Sequence, residues 1–162
     1  VLFFSIPSVK NRFSELIKIE KLTNENANST NIRVAVYKNV FQLIKNSPII
    51  GYGIGTHDQA LQDNYSRNNQ DILLEKYYNS HNQYLSFLLI GGPILLFLFL
   101  YFFVNNIKLA ILSNNKIFVL LLLFYSIVML TENILERESG VIFFSFFLSL
   151  FGFKNYQKLD EC

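Results

Sequence analysis

Charge is what this chain has least of. Only 16% of its 162 residues are charged, where a soluble domain of this size carries about 25%. The net charge of +2 gives no general electrostatic pull toward nucleic acid. Tryptophan is absent, and the single cysteine, Cys162, is the last residue. That excludes an intrachain disulfide framework and a cysteine-built metal site. No Gly-x-Ser-x-Gly occurs, so a hydrolase nucleophile elbow is excluded. The alternating glycines Gly51, Gly53 and Gly55 lack the Gly-Lys-Ser/Thr ending of a phosphate-binding loop and fit the dinucleotide fingerprint poorly. They read as a tight turn or a close backbone approach. His57, Asp58 and the distant His81 show no recognised zinc-ligand spacing.

What the chain has in quantity is apolar residues: 51% are hydrophobic, 17 of them phenylalanine. They are unevenly placed. Residues 9–80 are polar and rich in Asn and Lys, and residues 85–153 are strongly apolar. Residues 85–104 (LSFLLIGGPILLFLFLYFFV) are uncharged and span about 30 Å as a helix. Gly91-Gly92-Pro93 within this run predicts a kink or a close helix contact. Residues 117–131 and 141–153 read as second and third, shorter, spans. The linker 131–140 between them is then held at or just below the membrane surface.

The expected architecture is all-α: a polytopic membrane protein fragment with about three transmembrane helices and a large, partly helical, outward-facing loop. Its parts are the end of a truncated helix (1–8), the outward loop (9–84), the membrane helices (85–153) and a cytoplasmic tail (154–162). Val1 to Pro7 resembles the end of an apolar segment, so further N-terminal spans are expected ahead of it. Orientation follows the lysines of the short connections. Lys108, Lys116, Lys154 and Lys158 mark the cytoplasmic side, and the acidic linker (Glu132, Glu136, Glu138 against Arg137) marks the outer one.

Within the polar half, residues 13–19 fit a short helix or a strand equally well. Ile32, Val36, Val40, Leu43 and Ile44 recur at helical spacing, with Ser29, Thr30 or Asn31 as cap and Pro48 as the stop. A second helix is expected over 70–78. Arg33 lies beside the apolar stripe of the first. An arginine there either binds phosphate oxygens bidentately or is solvated, and Arg12 carries the same two readings. Ser80-His81-Asn82 adjoins the first long apolar run. Ser80 is positioned to cap that helix, and its N-terminal amides favour an anion. His81 there is either a base or phosphate ligand at the membrane surface, or a polar marker of where the helix leaves lipid.

In order, the Arg33 helix, Pro48-Ile49-Ile50-Gly51-Tyr52-Gly53-Ile54-Gly55, Ser80-His81-Asn82-Gln83-Tyr84-Leu85 with its Gly-Gly segment, and Thr131-Glu132-Asn133-Ile134-Leu135-Glu136-Arg137 followed by Gly140-Val141 resemble the C-terminal half of the O-antigen ligase and polymerase superfamily. The resemblance implies a bacterial inner-membrane glycosyltransferase that works at the outer face. Its donor would be a glycan on undecaprenyl diphosphate, and its acceptor a hydroxyl of another glycan or of lipid A-core. No nucleotide sugar, cofactor or metal is implied. His81 and Arg33 match the family's catalytic positions. Arg12, Arg33 and Asn82 are the implied diphosphate contacts, Arg12 by a looser alignment. Ligase and polymerase both stay open. A non-catalytic transport or assembly component would need polar residues along the spans, and residues 85–104 and 117–129 hold few beyond Ser86, Tyr101, Tyr125 and Ser126.

Overall fold

The computed structural model describes residues 22–23, 26–47 and 49–160, with side chains as far as Asn155. Arg12, Pro48 and residues 13–19 lie outside the described residues. Among those described there is no strand, and the chain is all-α.

Helix α1 (Ser29–Asn46) forms where the stripe predicts, with Ile32, Val36, Val40 and Leu43 buried. Its cap is Asn28, one residue earlier than expected. The Asn28 side-chain oxygen accepts from the Asn31 amide at 2.8 Å. Helix α2 (His57–Arg67) was not foreseen. Its only large apolar side chains are Leu61 and Tyr65, which lie four residues apart on one face and are buried at 1% and 0% exposure. Asn39 of α1 ties the two helices, its side-chain oxygen accepting from Asn64 at 3.0 Å and Asn68 at 2.7 Å. The helix expected over 70–78 shrinks to one short piece, α3 (Asp71–Glu75), because the chain turns away at Tyr77 with φ +50°.

Helix α4 (Gln83–Leu112) is longer at both ends than residues 85–104. It is kinked where the sequence indicates, with Gly91 at φ −134° and Gly92 at φ +64° just before Pro93. The kink divides the molecule's two cores. Leu89, before it, packs with α1, α2 and α3, whereas Phe103, after it, packs with Phe118, Leu122, Tyr125 and Phe144. Those partners come from α5 (Lys116–Val128) and α6 (Glu138–Asp160). Ile134 and Leu135 do not extend α5. They fall in a 3-10 turn, Ile134–Glu136.

The kink also explains the glycine turn. Pro93 has no N–H for the Leu89 carbonyl, and the break at Gly92 frees that of Ile90. The Tyr52 N–H donates to the Leu89 carbonyl at 2.6 Å, and the Gly53 N–H donates to that of Ile90 at 2.8 Å. Two glycine clusters, far apart in sequence, are thus one backbone-to-backbone joint that satisfies buried acceptors.

Helix α4 is long and apolar enough to cross a membrane, and only 17% of its apolar window is buried within the protein. The core helix of a soluble protein would be mostly buried. Phe97, Leu98, Ile111 and Leu112 point outward, as do Leu120, Phe124 and Ile127 on α5 and Phe143 and Phe146 on α6. A contiguous apolar exterior of this kind suits lipid and not water. Helix α5 has 13 residues and α6 has 23. Among the described residues, α4 is the one helix that meets the length and composition of a span.

Candidate functional site

The site is built where the linker 131–137 folds back over the first turn of α4. The cap of α4 is Asn82, not Ser80. The Asn82 side-chain oxygen accepts from the Leu85 amide at 3.0 Å, and its Nδ2 donates to the Leu130 carbonyl at 3.0 Å. The Gln83 amide donates to the Met129 carbonyl at 2.9 Å. Two of the N-terminal amides that the sequence offered to an anion are therefore already spent, that of Leu85 on the cap and that of Gln83 on the end of α5. Ser80 is buried at 2% exposure and exchanges hydrogen bonds with Asn133 at 3.0 and 3.1 Å.

Beneath this lies a polar network that sequence reading missed. The Glu136 carboxylate accepts from Asn133 Nδ2 at 2.9 Å, from Gln83 Nε2 at 3.3 Å and from the Ser86 hydroxyl. Gln83 Oε1 in turn accepts from the Leu135 amide at 2.8 Å. Gln83 and Ser86, buried polar residues in the first turn of an apolar helix, were the available signal. A polar side chain at such a position needs a partner.

His81 stands on the tight backbone between Ser80 and the cap, with φ +47°. A left-handed histidine is uncommon, and such conformations gather at functional sites. Its amide donates to the Asn79 side chain at 3.1 Å, and its ring lies 5.6 Å from that of Tyr78. Nδ1 is buried without a hydrogen-bond partner. Burial pushes the His81 pKa below its usual 6.5, Glu132 pulls it back up, and Arg33 and Arg137 push it down. The fold thus brings Arg33 within electrostatic reach of His81, the pair singled out from the sequence. Arg33 is half-buried and, among the described residues, has no ion pair or hydrogen bond. Arg137 is paired with Glu132 at 3.0 Å. That pair borders a cavity of about 400 Å³ lined also by Tyr125, Val128, Ile134 and Phe143. Arg33 and Arg137 with a neutral imidazole present one basic and two cationic groups to whatever lies at this end of α4.

With its pKa lowered, folded His81 holds fewer protons than the unfolded chain below pH 6.5. Its contribution to stability is intact above that value and lost as the pH falls beneath it. Histidine ring NMR titrations test the electrostatics. Glu132→Gln is expected to move the His81 midpoint further down, and Arg137→Gln to move it up. Unchanged midpoints in both variants would place neither charge at the ring.

A family model described as O-antigen ligase matches residues 1–100. That stretch holds Arg12, Arg33, the glycine turn, His81 and Asn82 and stops short of the linker 131–137. Neither a curated protein nor a solved structure matches the chain.

Proposed function

Because the chain belongs to the O-antigen ligase family of membrane glycosyltransferases, we propose that it moves a glycan from undecaprenyl diphosphate to a sugar hydroxyl on another glycan or on lipid A-core. One observation carries this reading: Arg33, without a counter-charge among the described residues, acts on a neutral His81 at the end of a membrane-length helix. A diphosphate headgroup with a lipid tail needs that combination of cations at the surface and apolar wall below. In the proposed reaction the acceptor oxygen attacks the anomeric carbon, the bond from that carbon to the diphosphate breaks, and undecaprenyl diphosphate leaves. His81, as free base, takes the hydroxyl proton or holds the diphosphate. Arg33, with Arg12, offsets the charge gathering on the leaving group. Asn82 is the remaining proposed contact, using what its cap leaves over. The membrane carries α4 to α6 as spans, with His81 on the outer face of a bacterial inner membrane.

The test is Arg33→Ala in intact cells, reading surface glycan and lipid-linked precursor together. Glycan is expected to fall by about a hundredfold or more while precursor accumulates at normal protein level. Normal glycan at normal protein level would refute the assignment. Product length separates the two chemistries: a ligase defect leaves long unattached chains, and a polymerase defect leaves single attached units.

A further inference from the structure

Beside His81, and sharing the Glu136 network beneath its cap, the geometry points to a second site, in which His57, Asp58 and Glu136 hold one divalent transition-metal ion. One nitrogen or oxygen from each of the three lies within 4.8 Å of those of the other two. His57 Nε2 and Asp58 Oδ1 are 3.6 Å apart. Ligands bound at about 2.0–2.2 Å to a common ion stand roughly 3–4 Å from one another, so small side-chain movements close the set.

The buried imidazole is the independent sign of a ligand. The His57 side chain is only 9% exposed, yet neither ring nitrogen has a hydrogen-bond partner. Leaving both unsatisfied is costly, and a metal ion on one of them with water on the other removes the cost. Charge points the same way. Two carboxylates approach each other with no lysine or arginine paired to either among the described residues, and a divalent cation balances them. Glu136 is exposed as a residue, but its carboxylate is aimed by Ser86, Gln83 and Asn133. Outer partners that orient a ligand in this way are typical of metal sites. Gln83 and Ser86 donate to Oε1 and fill its two lone pairs, whereas Asn133 alone donates to Oε2, which keeps one lone pair free for an ion. One nitrogen and two carboxylate oxygens suit Zn²⁺ or Mn²⁺ better than a soft ion.

The ion would tie the start of α2 to the linker that carries Glu132 and Arg137. It stands outside the transfer chemistry and would set the position of the linker.

The experiment uses the full chain in detergent, stripped with a chelator and titrated with Mn²⁺ at a fixed pH of about 7.5, because metal affinity depends on pH. Electron paramagnetic resonance counts free Mn²⁺. The expected result is one saturable ion per chain, displaced by Zn²⁺, which also raises the thermal midpoint. Asp58 is 43% exposed at its side chain, so Asp58→Asn tests the site without emptying a core. It is expected to weaken binding by about tenfold or more and to abolish the metal-dependent rise. No saturable binding by the wild type, or wild-type binding by Asp58→Asn, overturns the proposal. No glycan is involved in this readout, so its failure and that of the transfer reading are told apart.

Discussion

Alanine at His81 is expected to lower glycan transfer by about 10²–10⁴-fold, the range usual for loss of a positioned acid–base group, with thermal unfolding close to wild type. Stability should survive because, among the described residues, the ring makes one aromatic contact, to Tyr78, and its buried Nδ1 has no hydrogen-bond partner. Loss of activity with loss of fold would instead make His81 a structural residue. Two further variants separate its chemical roles. Asparagine tolerates the left-handed backbone and, like glutamine, offers an N–H to a phosphate, but neither takes a proton at neutral pH. If His81→Asn and His81→Gln are as inactive as His81→Ala, the residue is the base. If either restores most of the rate, it is a diphosphate ligand. The acid limb of the pH–rate profile adds a check. As base, His81 keeps working somewhat below pH 6.5, because burial and the two arginines hold its pKa down.

Gly92→Ala is expected to be strongly destabilising, by about 3 kcal/mol or more. Gly92 has φ +64° and ψ −163°, a region essentially closed to other residues. An added Cβ would also meet the Ile49 carbonyl oxygen at 2.1 Å, and this backbone atom has no room to retreat. Gly51→Ala meets the other side of the joint, 2.6 Å from the Leu89 carbonyl oxygen, at φ +71°. Gly55→Ala is the control: φ is +85° but nothing lies within 4 Å. It should cost only the backbone term, about 1–2 kcal/mol. Thermal unfolding of the three purified variants gives the ranking. Equal losses in all three would mean that the glycine turn does not dock on the kink.

The joint shows how far local reading reaches. Both halves were visible as glycine clusters, and the Gly-Gly-Pro break in α4 was expected because Pro93 cannot donate and glycine admits positive φ. That the free carbonyls of Leu89 and Ile90 are capped by Tyr52 and Gly53 was not legible. Backbone hydrogen bonds between distant segments leave no periodicity behind. Helix α2 escaped for a related reason. Only Leu61 and Tyr65 mark its inner face, and they become a buried stripe only when α1 supplies the other wall.

At the site, His81 and Arg33 were legible as residue types in telling places, one where an apolar helix begins and one beside an apolar stripe. The capping role of Asn82, the Glu136 network and the meeting of His57 with Glu136 were not. Composition and spacing alone account for the helical class, the apolar blocks and the kink, because propensity, hydropathy and the missing amide of proline act within a turn or two. Tertiary packing alone chose which polar groups meet. It laid the linker 131–137 across the first turn of α4, because buried Gln83 and Ser86 must find side-chain partners that their neighbours in sequence do not provide.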